Sequence, residues 1–267
     1  MILSKKKLIL IAVAILTVAT VIAYPLFIKK MMADAAVARI VEVYTWQNQE
    51  LKGMYQHVIE KEKTFNKSKK DDVAQYLSLA LSWKSVADQI KGMVIIKNGN
   101  NEEVLKKEME ETAIIIYNRA IAVYEAGIRK FKKTNSILYI NSANILREIA
   151  PYYGSETEKL AIYEKIEKRY LQALELDPGD AITHLASIDF YKKELKKPEA
   201  FVKARYELAS KRVLNEIPIA ISFAEYVRSL GQYEKALEFY EALYEVSPRF
   251  EFKQAIEEIK IEIKNQK

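Results

Sequence analysis

The sequence predicts an all-α protein: one apolar N-terminal helix followed by a helical-repeat domain. Three observations carry that expectation. The 267 residues contain only 7 Gly and 6 Pro, too few for the many tight turns of a β-rich chain. Apolar residues recur at three- and four-residue steps through almost the whole chain after residue 31. Finally, Leu8 to Ile28 forms 21 residues without a charge.

That first segment reads LILIAVAILTVATVIAYPLFI. At about 1.5 Å per residue it spans about 31 Å, the thickness of a bilayer's hydrocarbon core. Tyr24 suits the interface, and Lys29 with Lys30 marks the far side. A cleaved signal peptide is the alternative, with Lys5 to Lys7 as its basic start and Val21-Ile22-Ala23 before the cut. The apolar run continues to Ile28 and Pro25 would follow the cut, so an uncleaved anchor is expected. Three lysines on the N-terminal side place the N-terminus in the cytoplasm by the positive-inside rule. The expected location is the cytoplasmic (inner) membrane, single-pass, with the following domain outside the cytoplasm.

The same lysines explain the charge. The net charge is +6, from 42 basic and 36 acidic residues. Without Lys5, Lys6, Lys7, Lys29 and Lys30 the remainder is 37 against 36. A nucleic-acid protein concentrates its excess charge on the folded domain, so no nucleic-acid partner is expected. The chain has no cysteine, which excludes disulfides, thiolate catalysis and cysteine zinc sites.

The soluble helices follow in order. Residues 31–63 carry a helical stripe from Val37 to Ile59, expected to continue the anchor. Residues 64–70 are a polar break. Asp71 and Asp72 start a second helix, which ends before the Lys97–Asn101 loop. A long helix covers about 102–132, with Ile114 to Tyr117 buried on two sides. Asn135 or Ser136 caps the next, which stops near Pro151. Further helices run from about Thr157 to Leu176, from Ala181 to Leu195, and from Pro198 to near Leu214. The last are 218–230, 233–246 and a final helix from Phe250. The expected divisions are 1–30 for tail and anchor, 31–100 for a helical hairpin, and 101–267 for the repeat domain.

Two segments resemble the tetratricopeptide repeat. In SLGQYEKALEFYEALYEVSP, Gly231 and Tyr233 match the turn between the helices, and Ala236, Tyr240 and Pro248 match the small, aromatic and closing positions. In YLQALELDPGD, Tyr170, Ala173 and Pro178 fall at the aromatic, small and Pro positions. A small residue lets two helices approach, an aromatic fills the next gap, and Pro turns the chain into the next unit. The spacing departs from the family's period of about 34 residues, and the resemblance is clearest over 170–250. It implies a superhelical domain whose groove is lined by the first helix of each pair. Asn144 and Arg147, Asp189 and Lys192, and Glu225 and Arg228 would line it, each pair sharing a face.

No catalytic motif accompanies this pattern. His57 and His184 are the two histidines, and both read as structural. Metalloprotease, phosphate-loop, nucleophile-elbow and calcium-loop signatures are missing. No catalytic residue, cofactor, metal or small-molecule substrate is expected. The resemblance implies a membrane-anchored scaffold that binds an extended peptide or helix of partner proteins in a bacterial envelope. An accessory subunit of a larger membrane complex is the alternative. The layout is similar to that of ancillary subunits of the protein translocon.

Overall fold

The computed structural model describes residues 49–92, 102–131, 134–213 and 217–265, together with Ala35. The expected anchor at 8–28, residues 36–48 and the 97–101 loop lie outside the described residues. Among the described residues the chain is all α, and no helix there is long and apolar enough to cross a membrane. Ten α-helices are described: α1 (Gln49–Lys67), α2 (Val73–Lys91), α3 (Glu102–Phe131), α4 (Ser136–Ile149), α5 (Glu156–Leu176), α6 (Ala181–Lys193), α7 (Glu199–Ser210), α8 (Ile217–Ser229), α9 (Tyr233–Val246) and α10 (Phe250–Asn265). Two compact units result, Met1–Ala126 and Gly127–Lys267.

Side chains that satisfy the first free N–H groups set several helix starts. Asp72 accepts from the Ala74 N–H at 2.9 Å. Asn135, rather than Ser136, caps α4 by accepting from Leu138 at 3.3 Å. Ser155 caps α5 and also donates to Glu158, which sits three residues on. Asp180 caps α6. Pro151 falls in a short 3₁₀ turn, Ala150–Tyr152, that ends the α4 segment.

Two expected boundaries move. The polar break at 64–70 is shorter than its composition suggests, because α1 continues to Lys67. The Thr64 hydroxyl donates to the Glu60 carbonyl, and the Phe65 ring meets Tyr76 edge-on at 4.9 Å. Together with the Lys61–Ser82 and Ser68–Gln75 hydrogen bonds to α2 at 2.8 and 3.0 Å, this contact accompanies an extra turn that local propensity disfavours. α7 stops at Ser210 instead of near Leu214. Arg212 and Val213 both turn back to the Ala209 carbonyl at 3.0 Å.

In the first unit, α1 and α2 form a hairpin. Leu51 and Val58 on α1 and Leu79, Ala80, Trp83 and Ile90 on α2 are buried. Trp83 lies centrally: Tyr55 meets it edge-on at 6.1 Å, and the Arg119 guanidinium of α3 lies 4.7 Å over its ring. The Tyr117 hydroxyl donates to Asp88 at 2.5 Å.

The second unit is a series of hairpins, α4/α5, α6/α7 and α8/α9, closed by α10. Each helix packs on the next in the chain, and α6 also meets α8. The expected packing residues behave as their types require. Tyr170, Ala173, Ala236 and Tyr240 are buried, Tyr233 is half-buried and packs on the last core, and Pro178 and Pro248 lie exposed in the connections. Gly231 has φ +74°, where a side chain is strained. Its N–H reaches the Arg228 carbonyl at 2.9 Å and the Gln232 N–H reaches Val227 at 3.1 Å, turning α8 into α9 within three residues. α10 buries Phe252, Ile256 and Ile259 against α9 and exposes Lys253, Glu257, Lys260 and Lys264.

Ala236 is fully buried in the core that joins α8, α9 and α10, so a larger side chain must push helices apart. Ala236→Leu should lower stability by about 1–3 kcal/mol, read from urea denaturation. An unchanged midpoint would show that the small residue is not setting the helix separation.

Candidate functional site

The first helices of the three hairpins carry the six residues expected to line a groove. On α4, Ile137, Ile140, Asn144 and Arg147 follow at steps of three, four and three. On α6 the same steps give Ile182, Leu185, Asp189 and Lys192, and on α8 they give Pro218, Ile221, Glu225 and Arg228. Steps of three and four keep residues on one side of a helix. Ile137, Ile182 and Pro218 are each the second residue of their helix. Three helices therefore present the same stripe in register, apolar in the first half and polar or charged in the second.

The charged half is bound up within the chain. Arg147 donates to Asp189 at 3.0 Å, to Glu194 at 2.5 and 3.1 Å, and to the Ala186 carbonyl at 3.4 Å. All of these acceptors lie on α6 or at its end. Lys193 holds the other Asp189 oxygen at 2.9 Å. Lys192 places its ammonium 5.2 Å over the Tyr226 ring of α8. Arg228 on α8 donates to Glu262 at 2.9 and 3.1 Å and to Glu258 at 3.2 Å, both on α10. Each first helix thus sends one cation to the next helix of the stack along this face. The remaining two residues tie a first helix to its own partner: Asn144 accepts from the Tyr170 hydroxyl at 2.8 Å, and Glu225 accepts from the Tyr240 hydroxyl.

Electrostatics follow from these pairings. Partial burial works against the Arg147 charge, but hydrogen bonds to Glu194, Tyr170 and Asp189 outweigh it and strengthen its hold on the proton. Burial also pushes the Asp189 carboxyl up, yet hydrogen bonds from Lys193 and Arg147 and their charges hold it below the usual carboxylate range. Burial, in spite of the Arg205 guanidinium, pushes the Tyr191 phenol up to about 12, so it stays protonated at any physiological pH.

Beside Glu225 and Arg228, a cleft of about 510 Å³ opens between α8, α9 and α10. Ile221, Phe252 and Ala255 supply apolar lining, and Arg249, Glu251 and Glu258 supply charge. His184 is not at a chemical centre. It is buried, and its Nε2 lies 2.9 Å from the Pro178 carbonyl, which ties α6 to the preceding turn. His57 is exposed on α1. Among the described residues, no group of three or more His, Asp or Glu is placed to hold a metal ion.

Sequence reasoning missed one packing tyrosine. Tyr206 and Ala209 on α7 repeat the three-residue spacing of Tyr170 and Ala173 and are equally buried. The Tyr206 hydroxyl meets Ser222 at 2.9 Å, and its ring stacks with Phe223 and Tyr226 at 4.9 and 5.7 Å. The spacing was legible, but no Pro follows eight residues later to mark the unit's end.

No family model matches the chain, and no curated protein matches it. Among solved structures, the crystal structure of a thermophilic TPR protein from Thermus thermophilus aligns with 79% of this chain and 99% of that one, at 11% identity and a TM-score of 0.43.

Removing the Arg147 side chain leaves Asp189 and Glu194 facing each other without their shared cation. Arg147→Ala should cost about 1–3 kcal/mol, and Arg147→Lys should recover only part, since one ammonium cannot serve both carboxylates as a guanidinium does. Thermal melts of both variants check this. The depressed Asp189 favours its ionised form in the folded state. The stability it lends is complete above its unfolded pKa, about 4, and is lost as pH falls through the lower folded value. Asp189→Asn should therefore flatten the acid side of a stability–pH curve below about pH 4, measured by denaturant unfolding at a series of pH values.

Proposed function

We propose that this chain is a membrane-anchored scaffold of the tetratricopeptide type, which binds partner proteins in a bacterial cell envelope and carries no catalytic site. The observation that carries the reading is the stripe repeated in register on α4, α6 and α8. Helices that repeat one order of residue types along a face are what a stacked repeat uses to recognise an extended chain or helix.

The uncharged run Leu8–Ile28 supports the anchor, and the lysines flanking it support an N-terminus in the cytoplasm with the helical domain on the other side of the inner membrane. Because those lysines account for most of the net charge, the domain itself is nearly neutral. That favours protein partners over nucleic acid.

The expected behaviour is a protein that stays with the membrane pellet after carbonate and high-salt washing and is released by detergent. A topology reporter fused after Lys267 should be active only outside the cytoplasm. Crosslinking in intact cells with identification by mass spectrometry should return a small, reproducible set of proteins. Recovery in the wash, or crosslinks that differ in every repeat, would overturn the reading.

A further inference from the structure

A cleft of about 550 Å³ opens between α5 and α7, the second helices of consecutive hairpins. Leu171 and Leu174 of α5 and Leu208 of α7 give it aliphatic lining. Arg205 and Arg212 give it charge, and Glu175 is the one acid among the lining residues. The connection beneath it is tied down. The buried His184 ring, which also lines the cleft, is held to the Pro178 carbonyl at 2.9 Å. A Cβ on Gly179 would lie 3.5 Å from the Arg212 carbonyl, so the turn rests against the end of α7. Recognition sites share this character: concave, largely apolar, pre-formed, and holding a few placed polar groups.

The two arginines differ from Arg147 and Arg228, which are bonded to carboxylates of the chain itself. Among the described residues, no carboxylate lies within ion-pair distance of Arg205 or Arg212. The Arg205 guanidinium lies over the Tyr191 and Phe201 rings at 5.1 and 5.2 Å and donates to the Tyr191 hydroxyl at 3.4 Å. Those contacts fix its place without cancelling its charge. Arg212 is exposed, and Leu171 beside them is 38% exposed. A guanidinium without a counter-ion favours an incoming carboxylate, which it binds by charge-assisted hydrogen bonds.

The order of residues along α7 selects the form of the partner. Arg205, Leu208 and Arg212 follow at steps of three and four. Lys211 still bonds to the Glu207 carbonyl at 3.3 Å, so the helical path reaches the turn that carries Arg212. Seven residues at about 1.5 Å each put the two arginines about 10 Å apart along one side. A second helix laid along α7 reproduces that order, because its own residues seven apart share a side, with those three and four after the first between them. A β-strand covers about 10 Å in three residues and turns the two ends to opposite sides. A polyproline-II turn brings both ends to one side with nothing between them. A helix therefore offers acid, aliphatic and acid along one line.

We propose that the cleft between α5 and α7 seats an amphipathic helix of a partner protein, with acidic residues seven apart against Arg205 and Arg212 and aliphatic residues between them on Leu171 and Leu208. This rests on the scaffold reading and adds a second surface, on the second helices of the hairpins.

The test uses the full-length protein purified in detergent and labelled alanine-based helical peptides followed by fluorescence anisotropy. The first probe has two glutamates seven positions apart and leucines three and four positions after the first glutamate. The second has lysines in place of the glutamates. The third keeps the composition of the first but sets the glutamates five positions apart, on different sides. The first probe should bind at least about fivefold tighter than either of the others. Arg212→Glu should weaken it about tenfold and tighten the lysine probe, and Leu171→Glu should weaken it about tenfold. Both side chains are exposed, so both variants should keep the wild-type urea midpoint. Arg129→Glu, at an exposed position on α3, should change no probe. Equal binding of the three probes, or an Arg212→Glu variant that binds the first as before, would sink the proposal. Displacement of the first probe by short-chain phosphatidylglycerol would assign the cleft to a lipid, and self-association that Arg212→Glu abolishes would assign it to a second copy; either result overturns the proposal. In cells, photo-crosslinks from position 171 should be lost in Arg212→Glu. Partners captured from position 182 but not from position 171 would leave the scaffold and remove this surface. Partners captured from neither would remove both.

Discussion

The second unit depends on close approach of helices at small buried residues with a tyrosine filling the adjoining gap. Ala173 beside Tyr170, Ala209 beside Tyr206 and Ala236 beside Tyr240 are all buried. The alanine lets backbones come near, and the ring supplies area that a two-helix hairpin alone cannot bury. A buried phenol also needs a hydrogen-bond partner. Tyr170 finds Asn144, Tyr206 finds Ser222 and Tyr240 finds Glu225. In each case the hydroxyl reaches a neighbouring first helix. Packing and polar satisfaction are thus met by the same side chain.

Once the hairpins stack, first helices become neighbours and their charges must be reconciled. The cations Arg147, Lys192 and Arg228 occupy matching places ten residues after Ile137, Ile182 and Pro218. Each reaches the next helix of the stack, but the acceptors differ: a pair of carboxylates, a tyrosine ring, and a second pair of carboxylates. The partly shielded pairs on Arg147 are worth more than exposed ones, since solvent screens them less. Their geometric consequence is to commit the stripe's polar half to internal ties, beside an aliphatic half in which Ile140 is buried and Leu185 and Ile221 pack on the cores.

Much of the helical layout was readable from local signals. Asp72, Asn135, Ser155 and Asp180 cap helices as their types and positions suggest, and Gly231 takes the left-handed conformation that a three-residue turn requires. The shared face of Asn144 with Arg147, of Asp189 with Lys192 and of Glu225 with Arg228 was also legible, because helical spacing alone determines it. What those residues touch was not. Arg147 and Glu194 are 47 positions apart, and Arg228 and Glu262 are 34 apart. No local pattern shows that such pairs meet. The α1 end shows the same limit, since the contacts that accompany its extra turn, Phe65 with Tyr76 and Ser68 with Gln75, are made across the folded hairpin.

By itself, then, the sequence determined the all-α character, most helix ends, the small and aromatic packing positions, and the uncharged N-terminal run. These follow from interactions among residues a few positions apart, which backbone geometry places together whatever the rest of the chain does. The tertiary structure alone decided which half of the first-helix stripe is occupied. That outcome depends on the register between separate hairpins, set by which alanine admits which helix. Stacking turned residues that looked like a ligand's contacts into the ties between neighbouring helices, while Ile140 was buried and Ile221 packed on the last core.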